Sequence, residues 1–137
     1  MKFYIAGKYA HRKLLGLKRD ELIKLGNEVT HDWMSYELPK RTHKTMGMYA
    51  HNDIRGVTNA DVVIFVMDDD SYAYRGTFTE LGAALALRKP IIMYTPEGTQ
   101  YCKTNVFWHH PSIHHHQTWK GVLKEVDILS TRDFVDF

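Results

Sequence analysis

The chain has a single cysteine among its 137 residues, Cys102, which excludes an intrachain disulfide framework and predicts a reducing, cytoplasmic setting. With no second cysteine and no base beside it in sequence, Cys102 reads as a structural or exposed thiol rather than a nucleophile. An excess of charge of one sign is lacking too. A formal net charge of +2 argues against nucleic acid or an anionic membrane as partner. No apolar run approaches the ~20 residues of a membrane-spanning helix, and the N-terminus enters a strand directly rather than a signal peptide. The sequence shows no internal repeat, low-complexity tract or linker. The glycine spacing of a dinucleotide fingerprint is missing from Ala6-Gly7-Lys8-Tyr9-Ala10, and there is no P-loop. The composition that remains is 44% apolar and 25% charged, ordinary for a globular protein, and the length fits one domain over residues 1–137.

The pattern within that length alternates strand and helix. Lys2 to Ala6 is β-prone and stops at Gly7, which predicts a first and central strand. A helix is expected from Tyr9 to Leu25, with Leu14, Leu15, Leu22 and Leu25 close to one stripe and Gly26 closing its end. Asn27 to His31 follows as a second strand, and such a βαβ unit demands a crossover and a parallel sheet. The segment from Asp32 to Thr45 is polar, irregular and broken by Pro39, a long loop of the kind that carries function. A helix over Met46 to Val57 would turn Met48, Tyr49, Ile54 and Val57 inward. The apolar run from Asp61 to Met67 predicts a third strand, Ile91 to Tyr94 a fourth, and a short fifth is expected near Ile113. Pro90 forces the exit from the intervening helix, and a last helix is expected over Thr118 to Val126. These signals give an α/β doubly wound three-layer sandwich with four or five parallel strands in the order 2-1-3-4-5. The crevice between strands one and three would gather Gly7-Lys8-Tyr9, the acids Asp68, Asp69 and Asp70, and the start of the helix that carries Glu80.

Glu80 lies in Arg75-Gly76-Thr77-Phe78-Thr79-Glu80-Leu81-Gly82, after the third strand and its acidic turn. A carboxylate in the first turn of that helix would stay ionised, a state suited to a nucleophile. Thr77-x-x-Glu80 also has the form of a capping box, so a purely structural Glu80 is the competing reading. His109, His110, His114, His115 and His116 suggest a metal, but no Glu-flanked helical pair accompanies them, and metal binding is not expected. Three adjacent acids cannot all face one ion, so at least one of Asp68 to Asp70 belongs to a solvated turn. Carboxylate chemistry without metal or redox cofactor remains, carried by Glu80, the Asp68–Asp70 group and Asp53. Glycosyl transfer uses that equipment, one carboxylate at an oxocarbenium-like centre and a second group to manage the leaving base's proton.

Over nearly its whole length the chain resembles the nucleoside 2-deoxyribosyltransferase family. The opening strand Phe3-Tyr4-Ile5-Ala6-Gly7, the segment Asn52-Asp53-Ile54-Arg55, the Gly76 to Gly82 core and Lys103-Thr104-Asn105-Val106-Phe107-Trp108 carry the resemblance. It implies double displacement with Glu80 as nucleophile, Tyr4 positioning it, Asp53 at the nucleobase and Asn105 donated to a neighbouring subunit's site. Ser71 to Tyr74 look like extra residues before Gly76, which leaves Asp68 or Asp70 as the acid nearest the nucleophile, with Asp70 favoured. A homodimer or larger homo-oligomer acting on a small nucleoside follows from the same resemblance. Relatives in the family hydrolyse nucleoside 5′-monophosphates instead, and Lys8, His11, Arg12 and Arg75 offer cations for a phosphate, or are simply solvated. A catalytically silent nucleotide-binding module is the alternative from a different class.

Overall fold

The structure, a computed structural model, describes residues 1–37 and 40–135, with backbone alone for 132–135. The break expected at Pro39 lies outside the described residues. Five parallel strands form one sheet in the order β2-β1-β3-β4-β5, as the alternation of signals predicts. They are β1 Lys2–Ala6, β2 Glu28–Val29, β3 Val62–Val66, β4 Ile91–Tyr94 and β5 Ile113–His116. The four helices are α1 Arg12–Lys24, α2 His43–Asn59, α3 Arg75–Ala86 and α4 Trp119–Val135.

Strand periodicity decides which helix meets which side chain. In β1, Phe3 and Ile5 point to the face covered by Leu15 and Leu22 of α1 and by Val122 and Val126 of α4. Tyr4 and Ala6 point to the opposite face, among Val57 of α2 and Leu81 and Ala84 of α3. All five residues of β3 are buried, as a central strand covered on both faces requires. Each large aliphatic side chain buried there stabilises the fold by roughly 1.5–3 kcal/mol.

Several boundaries differ from expectation, each for a local reason. The first helix opens with a 3-10 turn, Tyr9–His11, and its apolar stripe is narrower than expected. Leu15 and Leu22 are buried, whereas Leu14 and Leu25 are exposed. Gly26 does close α1, at φ 94°, the left-handed geometry that glycine adopts without a Cβ penalty. The second strand is shorter than Asn27 to His31, because Asn27 turns its side-chain amide back to the Leu22 carbonyl. Helix α2 begins three residues before Met46, where Thr42 and Thr45 form a reciprocal capping box. Within it Val57 is buried, but Met48 and Ile54 face outward. The last helix runs past Val126 to Val135.

Candidate active site

The carboxyl end of β1 opens onto a cleft of about 360 Å³, walled on the β2 and α2 side rather than by β3 and the Asp68–Asp70 turn as expected. Its walls are Tyr4 and Gly7 of β1 and its exit, Tyr9, His31, Trp33 and Tyr36 from the segments after β1 and β2, Tyr49, Asn52 and Asp53 of α2, and Glu80 of α3. The wall is largely aromatic, and its rings are held in place. The Trp33 indole donates to the Ile5 carbonyl at 2.7 Å, and the Tyr9 hydroxyl donates to the Tyr36 carbonyl at 3.0 Å.

Glu80 reaches this cleft because α3 starts earlier than a Thr77 cap would place it. Tyr74, in the left-handed region at φ 55°, is the N-cap residue, and no side chain caps the helix. Glu80 is therefore the sixth helical residue, beyond the turn whose free N–H groups a capping box would use. Thr77 is buried instead. The capping-box reading and the expectation of an ionised first-turn carboxylate both fail on this geometry. Glu80 as a whole keeps some exposure, yet its Oε2 has none and no hydrogen-bond partner among the described residues.

Burial pushes the Glu80 carboxyl up to about 8; the Tyr4 hydroxyl opposes the rise and the neighbouring Asp53 charge adds to it. Asp53 is raised as well, first by burial, with His31 and Tyr4 holding it down. The buried Tyr4 hydroxyl, which interacts with both carboxyls, is driven far above the ordinary phenol range by desolvation and then by the two acids. Tyr4 thus joins two carboxyls that cannot easily both be charged, and His31 Nε2 stands 3.6 Å from Asp53 Oδ1. Such a pair holds one proton over the range between its two titrations.

The family model of nucleoside 2-deoxyribosyltransferase matches residues 3–127. The chain belongs to this family. Two solved structures share the fold. A 2-deoxyribosyltransferase from Bacillus psychrosaccharolyticus is 23% identical, with 90% of each chain covered and a TM-score of 0.71. A CMP N-glycosidase from Clostridium botulinum is 17% identical, with 93% of this chain and 99% of the other covered and a TM-score of 0.59. No curated protein sequence matches the chain.

Of the candidate site residues read from the sequence, Tyr4, Gly7, Asp53 and Glu80 meet in the cleft of this deoxyribosyltransferase-family domain, together with Tyr9, whereas Lys8, Arg12, Asp68, Asp70, Arg75, Gly76 and Asn105 lie outside its wall. Asp70, favoured as the acid nearest the nucleophile, instead accepts from the backbone N–H groups of Gln100 and Tyr101, each at 2.7 Å. Asp68 pairs with His11 at 3.0 Å and accepts from the Tyr74 hydroxyl at 3.3 Å. Asp69 pairs with Lys8 at 2.5 Å. Arg12 lies 5.0 Å from the centre of the Tyr9 ring and 3.6 Å from the exposed Glu37. Arg75 and Gly76 are exposed at the start of α3. Asn105 accepts from the Phe107 N–H and caps a 3-10 turn. His114 and His116 share a strand face, where both meet Glu125 of α4. Cys102 is buried, with its thiol raised by desolvation.

His31, Trp33, Tyr36, Tyr49 and Asn52 were not foreseen as wall residues. A signal for the first two existed: they follow β2 at the carboxyl edge, where side chains of an open α/β sheet meet ligands. Tyr36 carried no such mark, and although Tyr49 was expected to turn inward, no local pattern encodes which side chains of separate elements meet across the cleft.

Proposed function

We propose that this protein transfers a 2-deoxyribosyl group between nucleobases by double displacement at Glu80. One observation carries this reading: a carboxyl oxygen free of any described hydrogen-bond partner, on a residue that lines an aromatic cleft and is coupled through Tyr4 to a second carboxyl. The names of the family and of the two structural neighbours support the same class of bond. A Glu80 carboxylate oxygen forms a bond to the anomeric carbon as the glycosidic C–N bond breaks. The bonding pair leaves on the base nitrogen, and the proton that neutralises it comes from Asp53. An acceptor base then attacks the same carbon, breaks the ester and returns its proton to Asp53. The reactive arrangement has the pair's one proton on Asp53, and Tyr4 stabilises the Glu80 carboxylate.

An unphosphorylated nucleoside is the favoured substrate, because Lys8 and His11 are already held by Asp69 and Asp68. Asn105 supports a site completed by a second copy, since it is poised beside Val106 and Phe107, which are 75% and 56% exposed. The test is incubation of a 2′-deoxynucleoside with a different free base, followed by chromatography. Exchange of the base is expected. Release of sugar without exchange would replace transfer by hydrolysis, and neither product would remove the enzymatic reading. A 2-fluorinated deoxynucleoside should leave a glycosyl adduct on Glu80, visible by peptide mass spectrometry.

A further inference from the structure

Gly56 stands one turn after Asp53 in α2, and the place its side chain would occupy is taken. A Cβ there would fall 2.5 Å and 2.6 Å from Cδ1 and Cε1 of Tyr4, and 3.0 Å from the His31 Cβ. Gly47 in the same helix has nothing within 4 Å of its own Cβ position. Glycine weakens a helix interior relative to alanine, so helix propensity does not account for Gly56; the close approach does. The Thr30 hydroxyl donates to the Gly56 carbonyl at 2.7 Å and fixes the chain leaving β2, directly before His31, to the same point of the helix. Tyr4 and His31 both meet Asp53, and Tyr4 also meets Glu80.

We propose that Gly56 is a positioning residue: its missing side chain seats the Tyr4 ring and His31 against α2, and so sets where the Tyr4 hydroxyl meets Glu80 and Asp53. The effect on turnover rests on Glu80 acting as nucleophile; the seat itself does not. A methyl group at position 56 cannot be absorbed by a flexible side-chain end, because it meets the body of a buried ring. The ring must move, and its hydroxyl moves with it.

The test compares Gly56→Ala with Gly47→Ala, which makes the same change in the same helix in open space. The Glu80 titration is followed by carboxyl NMR in the free protein, where Tyr4, Asp53 and His31 are the groups that influence the pair. Gly56→Ala should move the Glu80 titration further upward, since the Tyr4 contact that lowers it is weakened, and Gly47→Ala should leave it in place. Turnover in Gly56→Ala should fall by about a hundredfold with KM little changed, the scale of a misplacement of about 1 Å in an active site. In a Tyr4→Phe background, Gly56→Ala should shift the titration no further. An unchanged Glu80 titration in Gly56→Ala would overturn the proposal. If that variant does not fold, Tyr4→Leu combined with Gly56→Ala should restore folding; a double variant that stays unfolded while Tyr4→Leu alone folds would also overturn it. A wild-type protein without exchange or base release would defeat the proposed function instead, and the NMR titration would still decide the seat.

Discussion

Glu80 and the Asp68–Asp70 turn lie at the same edge of the same sheet, and their carboxyls are in opposite states. Asp69 is held below the usual carboxylate range, chiefly by its hydrogen bond from Lys8. Asp70 is lowered by the backbone N–H groups of Tyr101 and Gln100. Both are ionised and well supplied with donors, and they hold loops together. Glu80 has one oxygen without a described donor and is raised to about 8 by burial. The difference shows that proximity to a crevice does not identify a reactive acid. A carboxylate whose oxygens already accept hydrogen bonds is committed, whereas an under-supplied one keeps the capacity to bond elsewhere.

The sharpest way to break this comparison is Glu80→Gln. A neutral amide cannot act as the nucleophile proposed for Glu80, so exchange activity should fall by several orders of magnitude with the fold retained. Stability should move the other way. Glu80 binds its proton more tightly folded than unfolded, so ionising it destabilises the native state progressively as pH rises from about 4.5 to about 8. That shift corresponds to a cost on the order of 5 kcal/mol at and above the upper end of the window. Glu80→Gln removes the cost, so at pH 8 the variant should melt above wild type in calorimetry, with the difference vanishing below pH 4.5. A helix cap lost at this position would lower the melting temperature instead.

A smaller effect is expected at the other carboxyl of the pair. Asp53→Asn removes the proposed proton donor for the leaving base and should lower kcat by about 10²–10⁴-fold, the usual span for general acid catalysis. The pH profile of kcat/KM separates the two roles. Below the raised Asp53 titration both carboxyls are protonated and no nucleophile exists; above about 8 both are ionised and no proton is left for the base. Wild type should therefore give a bell with its alkaline limb near 8, and Asp53→Asn should lose that limb. A wild-type profile that stays flat on the alkaline side would remove Asp53 from proton transfer.

The contrast also explains how much the sequence could reveal. Strand order was legible because β3 reads as an uninterrupted apolar run and Gly26 punctuates the first crossover. Tyr4, Asp53 and Glu80 were legible through family motifs, but the state of Glu80 was not. The Thr77-x-x-Glu80 spacing suggested a cap, and only the left-handed Tyr74, which starts α3 at Arg75, moves Glu80 out of the first turn. Asp70 was misplaced for a related reason. Its partners lie 30 and 31 residues away in sequence, in a loop whose approach no local pattern encodes.

The smallest expected effect comes from the other side of the comparison. Asp70→Asn keeps the size of the side chain and one acceptor oxygen, but loses the charge that strengthens the bonds from Gln100 and Tyr101. Charge-assisted hydrogen bonds of this kind are stronger than neutral ones, so the 99–104 loop should loosen and its amides should exchange faster. The folded Asp70 titration lies below its ordinary value of 3.8, so its contribution is present above that pH and disappears as pH falls through the lowered value. Asp70→Asn should therefore melt slightly below wild type at neutral pH and converge with it in strong acid. Exchange kinetics should stay at the wild-type level, because Asp70 bonds to the loop and is absent from the cleft wall. A loss of turnover approaching that of Asp53→Asn would return Asp70 to the site and erase the division between clamp and reactive acid. Wild-type turnover beside faster amide exchange would fix that division at the level of single carboxyl oxygens.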